Sequence, residues 1–182
     1  MIDKGAKLRA VLAGEARRLY VDCSYSSRGH YEEAAHYVKL SRIVGLPLAI
    51  IGGLTAVTAA FTALLVDARW ITALLAILSA ILTGLHGFLR PEENAEAHGT
   101  KAGRYKAIRD DALLYFKIEI YTSASDQEVV GRLKAMRNEY KELGLVKPHR
   151  VSQEAYERAK ASIEKGEASY ENDPLWKQLE DH

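Results

Sequence analysis

Apolar residues are concentrated in the middle of the chain, in two long segments that carry no formal charge. The first covers residues 43–66 and the second covers residues 70–89. At a rise of ~1.5 Å per residue, helices of these lengths would be roughly 36 and 30 Å long. Each would therefore cross the ~30 Å hydrocarbon core of a bilayer. The alternative, a pair of buried helices in a soluble bundle, is less consistent with so long a stretch without charge.

Only three residues, 67–69, connect the two apolar segments, which would force them into an antiparallel hairpin. Arg42 and Arg90 stand at the outer ends of the hairpin among further basic residues, whereas the connection holds only Arg69. Basic flanks stay on the cytoplasmic side of a membrane. We therefore expect both termini to be cytoplasmic. Pro47 is expected in the first turns of its helix, where the missing N–H does little harm.

Helical spacing and no strand pattern characterise the rest of the chain. Residues 1–42 are predicted to form N-terminal helices that lead into the first span, and residues 90–166 to form C-terminal helices. A polar tail, 167–182, follows. The predicted fold class is an all-α membrane protein, with one two-helix transmembrane hairpin and cytoplasmic N- and C-terminal helices.

Local sequence features predict where the flanking helices begin and end. The first, from about Lys4 to Tyr20, is expected to bury one side and to break at residues 21–27, with Ser27 as the N-cap of the next helix. The side expected to be buried holds Leu8, Val11, Leu12 and Leu19. After the second span we predict a helix from Glu92 to about Tyr121. A capping box at Ser125 to Glu128, a stop at Gly144 and Pro148, and an N-cap at Ser152 define two more helices.

Polar side chains of the second span share a sector of the helix at 100° per residue. They are Thr72, Ser79, Thr83 and His86. In one interpretation the hydroxyls bond to their own backbone, and His86 is an interfacial histidine. In the other, several copies assemble and this face lines a pore, with His86 as an intramembrane ionisable group.

Small residues form a strip on each span, and small side chains let membrane helices approach closely. The positions expected to serve helix packing are Gly52, Ala56, Ala60, Ala80 and Gly84.

Two features of the C-terminal helices each allow two interpretations. Lys101, Arg104 and Arg109 would contact anionic lipid, at about 1 kcal/mol per basic residue, or an anionic small molecule such as a nucleotide. The three- and four-residue spacing from Val129 to Leu143 indicates intrachain packing or subunit assembly. The residues expected on an assembly face are Leu133, Met136 and Tyr140.

Composition argues against most chemistry. The net charge is +1, which gives no bias toward nucleic acid, and the single cysteine, Cys23, excludes an intramolecular disulfide. Among the six histidines only His30 and His36 are close in sequence, and they do not share a helical face. No phosphate-binding loop, zinc-protease motif or nucleophile elbow is present. We therefore expect no enzyme activity, cofactor or metal.

The segment FLRPEENAEAHGTKAGRYKAIRDDALLY, which follows the second span, resembles the SLATT-domain family of bacterial membrane effectors. The preceding YEEAAHYVKLSRIVGLP and the tight hairpin agree with the same layout. The residues that carry the resemblance are Pro91, Glu92, His98, Ala102 and Tyr105.

The resemblance implies an effector of a prokaryotic antiviral defence or conflict system, in the cell inner membrane. Such proteins are thought to oligomerise and permeabilise that membrane after a cytoplasmic signal. The implied partners are membrane lipid, further copies of the chain, and a nucleotide second messenger or signalling protein. A non-conducting anchor or scaffold that recruits partners through its cytoplasmic helices is the alternative function.

Overall fold

The computed structural model describes residues 4–62, 69–123, 125–148 and 150–166, and within these ranges it contains helices and no strand. The expectation of an all-helical chain is confirmed. The predicted connection at 67–69 and the polar tail lie largely outside the described residues. The helices are α1 (Lys4–Thr62), α2 (Arg69–Leu89), α3 (Pro91–Leu114), a π-helical turn (Tyr115–Glu119), α4 (Ile120–Thr122), α5 (Asp126–Leu145) and α6 (Gln153–Glu164).

Helix α1 is a single helix of 59 residues, so the predicted break at residues 21–27 is wrong. Ser27 is not an N-cap. It lies inside the helix, and its hydroxyl donates to the carbonyl oxygen of Ala102 at 3.0 Å. Pro47 is likewise inside the helix rather than in its first turns. It therefore removes one backbone hydrogen bond from the middle of α1, a loss that membrane helices tolerate better than most.

The described residues of 1–33 and 97–182 form one compact unit, called here the core unit. In it, α1, α3 and α5 bury a shared apolar core that includes Leu19, Tyr115 and Leu143. The contacts of Ser27 with Ala102 and of His30 with His98 show that α1 and α3 run antiparallel. The predicted buried side of α1 was half right, because Leu12 and Leu19 are buried but Leu8 and Val11 are exposed.

The ends of the C-terminal helices agree with most of the sequence features. Helix α5 ends at Leu145, beside the predicted stop, and the Ser152 hydroxyl accepts from the Ala155 N–H at the start of α6. Ser125 is the N-cap of α5 by position, but its side chain makes no capping bond. The Ser123 hydroxyl instead donates to the Glu128 carboxylate at 2.8 Å, so the capping box is not formed as predicted.

The described residues of 34–96 form a second compact unit, called here the apolar unit, which includes the C-terminal half of α1 and all of α2. Both helices are long and apolar enough to cross a membrane. In their most apolar windows, 6% of the α1 residues and 0% of the α2 residues are buried. Core helices of a soluble protein would be mostly buried, so this exposure of apolar surface favours a lipid environment.

The end of α2 contains a strained residue. Arg90 separates α2 from α3 and has a φ of 42°, which is in the left-handed region that non-glycine residues rarely adopt. The next residue, Pro91, is the first of α3, as its fixed φ favours. The Asn94 side chain donates to the Leu89 carbonyl at 2.9 Å and so satisfies one of the last carbonyls of α2.

Candidate functional site

A group of buried polar residues continues the apolar core of the core unit. It consists of Ser27, His30 and Glu33 on α1 and of His98 and Lys101 on α3, and is called here the polar layer. Each of these residues is less than 9% exposed. Their positions continue the three- and four-residue spacing of the apolar contacts, because His30 follows Leu19 and Cys23 on the same side of α1.

Two histidines meet at the centre of the polar layer. The Nδ1 atoms of His30 and His98 are 2.8 Å apart, so the Nδ1–H of one ring donates to the Nδ1 of the other. The Tyr105 ring stacks on His30 with a centroid distance of 5.7 Å. The pair therefore joins α1 to α3 by one hydrogen bond, which requires that one of the two Nδ1 atoms carry no hydrogen.

Lys101 and Glu33 attach the connection between α5 and α6 to the two long helices. The Lys101 ammonium donates to the carbonyl oxygens of Val146 at 2.7 Å and of Pro148 at 2.6 Å. The Glu33 carboxylate accepts from the backbone N–H of Ser152 at 3.1 Å and from its hydroxyl at 2.6 Å. This carboxylate lies at the N-terminus of α6, where negative charge is favourable.

Burial sets the protonation of the histidines. Desolvation, the facing His98 ring and the Lys101 ammonium lower the pKa of His30 to about 4, and the Glu33 carboxylate opposes them in part. Burial also lowers the pKa of His98, with Glu33 and Lys101 acting in opposite directions. Both rings are therefore neutral at pH 7. Lys101 has a pKa lowered by burial, and its two carbonyl contacts stabilise the charged form.

The polar layer has no other evident chemistry. Among the described residues, no three His, Cys, Asp or Glu side chains are arranged to hold a metal ion. The Cys23 thiol nearby is fully buried, and desolvation raises its pKa to about 12. It is therefore a core residue rather than a nucleophile. What the layer can do is bind or release protons at a helix–helix contact.

The predicted contact with lipid or an anionic ligand is wrong for two of its three residues. Lys101 is 4% exposed and its ammonium is used inside the chain, as described above. Arg109 is 8% exposed, and its guanidinium donates to Asp110 at 2.7 and 2.9 Å. Only Arg104 is at the surface, 3.9 Å from the Glu139 carboxylate.

The predicted assembly helix is used within the chain. Leu133 and Met136 are buried in the core unit, and Tyr140 packs against the same core with its ring 5.6 Å from that of Tyr105. Of the two interpretations of this spacing, the structure favours intrachain packing, and it leaves no apolar face of α5 free for a second subunit at these positions.

The polar residues of the second span do not share one environment. Thr72, Ser79 and His86 lie on a partly covered stripe of α2, whereas Thr83 is exposed. The Thr83 hydroxyl donates to the Ser79 carbonyl at 2.8 Å. On α1, the Thr55 and Thr58 hydroxyls bond to carbonyls of their own helix in the same way. Hydroxyls bonded in this manner need no water opposite them.

The small-residue strips are not the packed sides of their helices. Ala56, Ala60, Ala80 and Gly84 are exposed, and Gly52 is partly covered. A Cβ added at Gly52 or Gly84 would meet no atom of the described chain within 4 Å. The expectation of helix packing through these strips is therefore wrong for contacts within one chain.

Sequence reasoning missed the pairing of His30 with His98. It weighed His30 only against His36, which is exposed. The feature that could have found the pair is periodicity: His30 continues the buried side of α1, and His98 continues the side of α3 that holds Tyr105 and Ala112. Such positions face each other when the two helices pack antiparallel.

The chain matches no family model, no curated protein and no solved structure. The resemblance to SLATT proteins therefore rests on the residues of this chain alone.

Proposed function

We propose that this protein is a two-span membrane effector of a bacterial defence system, in which a cytoplasmic helical unit controls the association of the membrane spans. The hairpin of α1 and α2, the cytoplasmic position of both termini and the inner-membrane location are parts of this proposal. Continuity of α1 from Lys4 to Thr62 is the observation that carries it. One uninterrupted helix belongs both to a packed core and to an apolar segment, and we propose that this helix carries a change in the first to the second.

Uncovered surface on the spans supports association with further copies. The small residues Ala56, Ala60, Ala80 and Gly84 are exposed. The partly covered residues of each helix lie on a different side of it. Small residues permit close helix approach in membranes. We infer that these strips serve contacts between chains, and that several hairpins together enclose a pathway for ions.

A non-conducting anchor is the second candidate function, and one observation favours it. The Thr55, Thr58 and Thr83 hydroxyls bond to carbonyls of their own helices. Threonines satisfied in this way can face lipid or another helix without lining a pore.

Inducible expression in bacteria with a membrane-potential dye tests the proposal. The effector hypothesis predicts depolarisation by the wild type, and its loss in Ala80→Trp, where a large ring occupies the small-residue strip. Leu78→Trp is the matched control, because Leu78 is an exposed apolar residue of the same helix. Loss in Ala80→Trp alone supports the effector. No depolarisation by the wild type, with or without neighbouring genes, leaves the anchor.

A further inference from the structure

We propose that the His30–His98 pair is a proton-sensitive joint that holds α1 and α3 together near neutral pH and releases them on acidification. This is a regulatory device inside the core unit, and it would act whether the membrane spans conduct or only anchor. The proposal rests on the geometry of a buried contact that one protonation state permits and another forbids.

The hydrogen bond between the rings depends on their protons. When both rings are neutral, one Nδ1–H donates to the other Nδ1 across 2.8 Å. When both are protonated, each Nδ1 carries a hydrogen, and two N–H groups point at each other with no acceptor between them. A single added proton keeps the bond but places a charge where the two side chains are 4% and 3% exposed.

The surroundings of the pair oppose the charged state. On α3, the Lys101 ammonium is buried beside the rings and is held by the Val146 and Pro148 carbonyls. Tyr105 of α3 stacks on His30, and Tyr140 of α5 packs on Tyr105. Glu33 of α1 is the facing anion, but the N–H and hydroxyl of Ser152 already bind its carboxylate.

A charged residue of α6 that contacts α1 is paired with a carboxylate outside the polar layer. Arg158, which packs against α1, lies 3.4 Å from the Glu32 carboxylate. After acidification, the single negative charge of the Glu33 carboxylate would therefore face three positive charges, those of the Lys101 ammonium and of the two imidazolium rings. Burial, which lowers the pKa of both histidines, acts in the same direction as this excess of positive charge.

The His30–His98 pair lies at the edge of the core unit on both helices, so separation of the two rings would affect the points where α1 and α3 leave that unit. His30 lies one helical turn before residue 34, where α1 continues into the apolar unit, and His98 directly follows residue 97, where α3 enters the core unit. Release at this layer would free both helices at the point where each leaves the packed core. The Lys101 and Glu33 contacts to the α5–α6 connection lie in the same layer, so they are expected to loosen with it.

Hydrogen–deuterium exchange of the full chain in lipid nanodiscs, corrected for intrinsic exchange rates, tests the proposal at pH 7.5 and 5.5. Each histidine that gains a proton only on opening favours the open state roughly 10-fold over this range. Protection of residues 24–33 and 97–105 is therefore expected to fall roughly 10- to 100-fold in the wild type. The fall should be absent in the His30→Gln/His98→Gln double variant and unchanged in His36→Gln, the exposed control.

A second measurement on the wild type does not depend on the variants folding. Histidine side-chain NMR of the same sample should show the His30 and His98 rings titrating below the ordinary histidine pKa of about 6.5. Equal protection at both pH values, persistence of the pH effect in the double variant, or titration of the His30 and His98 rings near pH 6.5 would each overturn the proposal. Hydrogen exchange and histidine titration report on the core unit and require no ion flux. A negative result in a permeability assay would therefore count against the proposed effector function and not against the histidine pair.

Discussion

The two halves of α1 are the same helix in two different environments. In residues 4–33, apolar side chains such as Leu19 are 1% exposed, because α3 and α5 cover them. In residues 34–62, Ile50, Leu54 and Val57 are 50–55% exposed. Burial by protein requires a stripe that matches a neighbour, whereas burial by lipid requires only an apolar surface all round. The α1 residues of the polar layer lie at the end of the half that is buried by protein, directly before the exposed apolar half begins.

The largest expected difference between the two halves is in the cost of a leucine-to-alanine substitution, measured as the loss in free energy of unfolding. Leu19→Ala should reduce the free energy of unfolding by about 2–5 kcal/mol, because it leaves a cavity in a packed core. Leu54→Ala should cost about 1 kcal/mol or less, since lipid chains fill the space of a lipid-facing side chain. Chemical denaturation of the full chain in bicelles, followed by circular dichroism, measures both. Equal costs would contradict the assignment of the C-terminal half to lipid.

Substitution by arginine should have the larger effect in the C-terminal half of α1, whereas substitution by alanine should have it in the N-terminal half. Leu54→Arg should oppose membrane insertion by about 2.5–3.5 kcal/mol, the cost of a basic residue at the centre of a span. Leu8→Arg, at a residue that is exposed in the core unit, should leave insertion unchanged. The fraction of protein that resists alkaline extraction from membranes measures insertion. Retention of Leu54→Arg at the wild-type level would mean that residue 54 does not lie in lipid.

Removal of the buried ammonium tests the polar layer. Lys101→Met should reduce the free energy of unfolding by about 2–3 kcal/mol, because the part-buried carbonyls of Val146 and Pro148 lose their charged donor. Lys106→Met, at an exposed lysine on the same helix, should change it by less than about 0.5 kcal/mol. Limited proteolysis at the α5–α6 connection should accelerate in the first variant only. Similar behaviour of both variants would show that Lys101 does not hold this connection.

Acid should weaken the core unit through the histidines. His30 has a pKa of about 4 in the folded chain and about 6.5 when unfolded. Between these values the unfolded chain binds a proton that the folded chain does not, so stability is complete above pH 6.5 and falls toward pH 4. His30 alone should cost about 2 kcal/mol between pH 6.5 and 5. Denaturation of wild type and His30→Gln over this range gives the difference, and parallel pH profiles would refute the assignment to His30.

The smallest effect concerns Arg90, between α2 and α3. Because Arg90 has a φ of 42°, Arg90→Gly should stabilise the chain by about 0.5–1 kcal/mol. Arg104→Gly, within the regular part of α3, should instead destabilise it by about 1 kcal/mol. Thermal unfolding in bicelles compares the two. A loss of stability in Arg90→Gly would indicate that the Arg90 side chain contributes more than its backbone conformation costs.

The sequence predicted the apolar helices well because the absence of charge over such lengths is a strong and local feature. It predicted the end of α5 and the start of α6 because glycine, proline and serine determine those positions locally. It placed a false break at residues 21–27, since serine, tyrosine and aspartate have poor helix propensity. Packing against α3 overrides that propensity, through contacts such as Ser27 with Ala102 that lie 75 residues apart.

The candidate site could not be predicted by the same reasoning. His30 and His98 are 68 residues apart, and their meeting depends on the register in which α1 and α3 pack. Lys101 was predicted to contact lipid or an anionic ligand because it lies among basic residues shortly after the second span. Its partners are the backbone carbonyls of Val146 and Pro148, and a residue pattern contains no information about backbone acceptors in a distant connection.

The two-span arrangement is tested most directly by the topology of the two apolar helices in a bacterial membrane. Alkaline phosphatase and green fluorescent protein are fused in turn to each terminus, and phosphatase is inserted between residues 67 and 68. A two-span arrangement with a cytoplasmic core unit predicts fluorescence and inactive phosphatase at both termini, and active phosphatase at the insertion. Active phosphatase at either terminus, or inactive phosphatase at the insertion in a stable, membrane-bound protein, would contradict the two-span arrangement with a cytoplasmic core unit.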